Sequence, residues 1–161
     1  MNKEISSVIL SFESLLNGQP WFGRSMYEIL DETDSKKVFI KPNGTEHSLA
    51  ELLWHMNTWA DFTLKRIQKD DSYDLTTAEE LDWRRIDPKL HSWRKGIKEF
   101  KSLHTSIIEE LKKKEDAFLE EKVDYRNYNF RFLLNGLVQH DIYHLGQIAY
   151  LNKMLAAIPA K

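Results

Sequence analysis

The stretch Gly136–Gln147, reading GLVQHDIYHLGQ, decides how this chain is read. His140 and His144 are four residues apart, and on a helix such a pair lies on one face, one turn above the other. A single divalent cation can then be gripped by both imidazoles. Leu133, Leu137, Ile148 and Leu151 flank the pair at helical spacing, which turns it toward an apolar interior. Two imidazoles make an incomplete site. The best source of a third is His55.

Outward from this stretch the pattern stays helical. Residues 3–16 carry Ile5, Val8, Ile9, Phe12, Leu15 and Leu16 at three-four spacing. Asn17–Pro20 breaks that helix, and Phe22, Met26, Ile29 and Leu30 predict its continuation after a kink. Trp21 and Phe22 sit at the break, placed either to line a cleft or to plug the bundle end. Residues 37–44 read as a short extended connection closed by the turn Pro42-Asn43-Gly44. Ser48, with Glu51 three residues on, is a capping box that opens a second long helix reaching about Lys69. Leu49, Leu52, Leu53, Met56, Ala60, Thr63, Leu64 and Ile67 share its inner face.

Residues 70–86 form a polar crossover with one helical turn around Ala78–Trp83. Asp87-Pro88 predicts the start of a third long helix, bearing Leu90, Trp93, Ile97, Phe100, Leu103, Ile107, Ile108 and Leu111. A fourth runs from about Phe130 to Leu155. There is no internal repeat and no convincing strand pair. Four long amphipathic helices with two longer connections predict an all-α, four-helix bundle in a single domain, residues 1–161.

Composition narrows the function. The formal net charge is −2, from 23 basic and 25 acidic residues. Nucleic-acid binders carry a basic stripe, whereas Lys112–Lys114 is answered here by Glu109, Glu110, Glu115 and Asp116. No nucleic-acid partner is expected. The chain has no cysteine, so it supplies no thiolate, disulfide or cysteine-bound zinc, and this fits a reducing cytoplasm. The N-terminal segment is amphipathic rather than a signal core, and no stretch approaches a membrane span. A cytoplasmic protein is expected.

The six histidines are His47, His55, His91, His104, His140 and His144. At about 100° per residue His55 falls on the rim of its helix's apolar stripe, beside Leu52 and Trp59. His140 and His144 sit at the edge of theirs, in line with Leu133 and Gln147, and Gly136 leaves room one turn earlier for a helix or ligand. Two imidazoles from one helix and one from another match a three-histidine site suited to zinc, nickel or iron(II), with a coordination position left open. Such an ion acidifies bound water or a bound thiol. The competing reading makes the histidines hydrogen-bonded core residues. His47 and His104 read as surface or capping groups, and His91 is ambiguous. Gln147 shares the face of the pair and either orients a ligand or is a polar rim residue. Asp141 points about 100° away from His140, free to support a histidine on a neighbouring helix. Trp59, Phe62, Trp21 and Tyr143 are candidates to wall a pocket, or plain core.

The order of these motifs resembles the DinB/YfiT superfamily. The resemblance is carried by His55 within LLWHMNTW (residues 52–59), by HDIYHLGQ (residues 140–147), by NGQPWFG (residues 17–23), and by the capped helix and crossover. It implies a four-helix bundle of unusual up-down connectivity, often a homodimer. It also implies a divalent metal, nickel or zinc before iron or manganese, on His55, His140 and His144. Relatives include transferases and isomerases that use low-molecular-weight thiols such as bacillithiol, mycothiol or glutathione, and others are described as metal-dependent hydrolases. A metal-dependent enzyme acting on a small molecule, through a thiol cosubstrate or through water, is the leading expectation. The alternative is a non-catalytic stress-related or ligand-binding bundle with structural histidines.

Overall fold

The computed structural model describes residues 2–157, and among them every regular element is helical. The elements are α1 (Lys3–Leu16), α2 (Met26–Glu32), α3 (Leu49–Gln68), α4 (Leu75–Leu81), α5 (Trp93–Leu111) and α6 (Phe130–Ala156). Short 3-10 turns lie at Pro42–Gly44 and Asp116–Glu120. Residue 1 and residues 158–161 of the expected domain lie outside the described span.

α3 is the axis of the molecule. Leu49, Leu52, Leu53, Met56, Ala60 and Ile67 are each no more than 1% exposed, and a helix apolar around so much of its circumference belongs in an interior. α5 and α6 both pack on it, and α1 packs against α5 and α6. Each fully buried leucine or methionine contributes about 1.5–3 kcal/mol, which makes this packing the main source of stability.

The helix ends follow from local chemistry. Ser48 Oγ accepts from the Glu51 N–H at 3.3 Å, and the Glu51 carboxylate accepts from the Ser48 N–H at 2.7 Å. α3 stops where Lys69 turns left-handed, with φ 56°. α1 has no side-chain cap of its own. Two N–H groups of its first turn, on Glu4 and Ile5, donate to Asp116 Oδ1 at 3.1 and 2.9 Å. A carboxylate from the turn before α6 thus sits on the positive end of α1.

At Gly96, α5 comes closest to α3. A Cβ there would lie 2.9 Å from Leu53 Cδ2, and the Gly96 carbonyl accepts from Asn57 Nδ2 at 3.0 Å.

Several expectations need correction. The third long helix starts at Trp93, not at Asp87-Pro88, because Ser92 Oγ accepts from the Lys95 N–H and caps it. Asp87 instead closes a turn onto His91, and Leu90 is left exposed. The segment after Pro20 is not a kinked continuation of α1. α2 begins afresh at Met26 with the capping box of Ser25 and Glu28. Trp21 is fully exposed there and does not plug the end of the core. The crossover holds a true helix, α4, capped by Asp74, and it ends before Trp83.

Two glycines test this packing. Gly96→Val should lower stability by about 1–3 kcal/mol by forcing α3 and α5 apart. Gly136, whose added Cβ meets nothing within 4 Å, should accept alanine with a gain of up to about 1 kcal/mol. Urea unfolding of both variants reads the contrast directly.

Candidate metal centre

α3 carries His55, and α6 carries His140 and His144, to one point in the interior. One ring nitrogen from each lies within 4.8 Å of the others. His55 Nε2 is 2.9 Å from His140 Nε2 and 3.0 Å from His144 Nε2. His55 and His144 are 7% and 4% exposed, and the His140 side chain is 25% exposed.

The outer nitrogens decide which protons these rings carry. His55 Nδ1 donates to the Asp82 carboxylate. His144 Nδ1 donates to Gln147 Oε1 at 2.6 Å. A neutral imidazole has one N–H, so Nε2 of both rings carries a bare lone pair. Burial lowers the His55 imidazole below its ordinary value, against the pull of Asp82. Burial, with His140 nearby, pushes His144 down to about 4. Both rings are therefore neutral near pH 7. His140 Nδ1 is buried without a hydrogen-bond partner, 3.6 Å from Asp141 Oδ1. A proton on Nδ1 faces that carboxylate and leaves the third Nε2 bare as well.

Bare nitrogens this close repel unless a cation lies among them. Metal–nitrogen bonds of about 2.0–2.1 Å place neighbouring ligand nitrogens about 2.9 Å apart at right angles and about 3.3 Å apart at the tetrahedral angle, so this donor set fits a divalent ion with little movement of the rings. Neutral nitrogen donors leave the ion's charge uncancelled.

Around this group lies a layer that sequence reasoning partly missed. His104, expected at the surface, is completely buried. Its Nδ1 donates to the Phe100 carbonyl at 2.9 Å and its Nε2 to Asp141 Oδ2 at 2.8 Å. A ring with acceptors at both nitrogens satisfies them only as an imidazolium. Burial pushes the Asp141 carboxyl up, and His104 and His140 more than offset this and hold it below its usual value. The signal was available: His104 is four residues after buried Phe100 and three before buried Ile107. Asp141 does support a histidine from a neighbouring helix, as its position allowed.

His47 was also expected at the surface, yet its ring stacks on Trp83 at 3.7 Å, and Trp83 stacks on His55 at 3.8 Å. Trp83 holds this place with φ 46°. Arg84 pins the segment to α3 by donating to Thr58 Oγ1 at 2.8 Å. Neither Asp82 nor Trp83 had any spacing that pointed to His55, because both lie in a loop. Gln147, half-buried on the same face of α6, accepts from His144 Nδ1 through Oε1. Trp59 and His140 line one small cavity. Tyr143 touches His144 edge-on at 5.0 Å but is largely exposed. Phe62 is core, and His91 Nδ1 accepts from the Asp87 N–H in a turn.

The His104–Asp141 pair is open to a double-mutant cycle. His104→Leu or Asp141→Leu alone should cost about 3–5 kcal/mol by stranding a buried partner. The double variant should cost clearly less than the sum, read by denaturant unfolding.

Among curated proteins and among solved structures the sequence finds no match. The family model described as the DinB superfamily matches residues 23–148. That span contains His55, His140, His144 and their supports Asp82, His104, Asp141 and Gln147. It covers most of the chain, and the chain belongs to the DinB superfamily.

Proposed function

We propose that this protein is a metal-dependent enzyme whose divalent ion is held by His55, His140 and His144. In this reading it presents a small thiol cosubstrate to an electrophilic small molecule. The observation that carries the reading is the pair of bare Nε2 atoms 3.0 Å apart, their protons committed to Asp82 and Gln147 on the far sides of the rings. A structural pair of core histidines would instead share a proton between them. Nickel or zinc suits this set best, with iron or manganese as the other candidates. The proposal includes a single domain arranged as a four-helix bundle of unusual up-down connectivity. It also includes a homodimer, which Tyr143 and Tyr150, exposed two turns apart on α6, support.

A divalent ion at this position brings the pKa of a bound thiol or water toward neutrality. The chain's own residues do the rest. Asp82 and Gln147 hold two imidazoles in the ligating tautomer, support that is worth tenfold or more in affinity at comparable sites. Trp83 covers the His55 ring and keeps water from that face. The protein has no cysteine, so nucleophilic sulfur must come with a cosubstrate. Because Asp82 is bonded to the far side of His55, it is not free to act as a base on water. This supports thiol transfer over hydrolysis.

Protein purified without a histidine tag should carry a near-stoichiometric divalent ion that His144→Ala loses. Asp82→Asn should keep the site but weaken the ion by about 10–100-fold, read by competition with a chelating dye. On a panel of electrophiles, turnover should require added thiol, and turnover in water alone would favour the hydrolase form. Protein that stays metal-free after soaking, and whose melting temperature ignores the ion, would return the histidines to the core.

A further inference from the structure

His140 borders a second feature. Between α3 and α6 lies a cavity of about 210 Å³ bounded by Trp59, Tyr128, Phe132, Gly136, Leu137 and His140. Trp59 is one turn beyond His55 on α3, and Gly136 is one turn before His140 on α6. The cavity therefore lies one helical turn from the converging nitrogens and shares the His140 ring as a wall.

The lining specifies an occupant. No charged side chain contributes to it. Thr63, the one hydroxyl-bearing aliphatic residue there, already donates to the Trp59 carbonyl at 2.9 Å. Trp59 is held edge-on by Phe62 at 5.8 Å, and Tyr128 and Phe132 meet at 5.1 Å. An apolar cavity of about 150 Å³ is known to take up benzene, so this one has room for a single substituted ring. Aromatic walls favour a planar ring in offset or edge-on contact. Gly136 keeps the space open, since an added Cβ meets nothing within 4 Å. Phe132 is 65% exposed and marks an open mouth.

We propose that this cavity receives an uncharged aromatic ring of the electrophilic substrate and so holds its reacting carbon beside the metal nitrogens. A charged thiol finds no charged partner in this mainly aromatic and apolar lining, so its body lies elsewhere and the cavity selects the electrophile. That assignment of roles rests on the metal-thiol reading. Uptake of the ring does not, because it needs no ion.

The test therefore starts with metal-free protein and para-fluorotoluene, observed by fluorine NMR. Saturable binding at millimolar concentration or below is expected. Gly136→Leu, which fills the cavity from a position that tolerates a side chain, should weaken binding about tenfold or more, with helical content unchanged. Phe132→Ala, at a largely exposed site, should weaken it without threatening the fold. Glutathione should leave the probe in place. Absence of binding to the wild type, equal binding to Gly136→Leu, or displacement by glutathione would each overturn the proposal. If the protein proves unable to hold metal yet the probe binds and Gly136→Leu abolishes it, the ring site stands and only the metal reading fails.

Discussion

Neutral imidazole nitrogens with bare lone pairs do not attract one another, yet they converge where α3 meets α6. Something else must force them together. The buried faces of α3 and α6 belong to one apolar core with α1 and α5, and the energy of that core is large against the repulsion of a few partial charges. The helical core therefore sets the histidines in place before any ligand arrives. An ion entering such a site meets donors already oriented and loses little to their reorganisation.

Burying so much polar material is costly unless each group finds a partner. The partners come from separate elements. Gln147 is on the same helix as His144, less than one turn away. Asp82 reaches His55 from the loop after α4, and Asp141 ties α6 to His104 on α5. The site is thus held from several directions, and its supports also fix α5 and the α4 loop against the axis. Asp141 is the most confined of them, with one oxygen on an imidazolium and the other left facing His140.

Periodicity made the helices legible because apolar burial on one face is a local property of the sequence. The Ser48–Glu51 box marked the start of α3, and the stretch 140–147 put two histidines on one face. What escaped had non-local causes. Asp116 caps a helix that begins more than a hundred residues earlier. Asp82 and Trp83 take their meaning from the path of a loop, and a loop's path has no period. His104 was misplaced for a different reason. Its position matched the apolar stripe of α5, but a charged ring fits such a stripe only when a carboxylate on another helix meets it, and only the fold brings Asp141 there. Asp87-Pro88 was a genuine turn signal read as a cap, and Ser92 outcompeted it.

The supports also divide the site into a closed side and an open one. Trp83 adopts a left-handed backbone conformation that costs a non-glycine residue about 1 kcal/mol or more. It is kept there by stacking between two imidazoles and by the Arg84 anchor on α3. With His55 covered by that ring and His144 enclosed among buried side chains, the least covered of the three histidines is His140. His140 is also the one that borders the apolar cavity. The residue with the fewest hydrogen bonds and the greatest exposure is therefore the one beside the available space. A ligand approaching from that side would leave the hydrogen-bonded supports of the other two rings undisturbed.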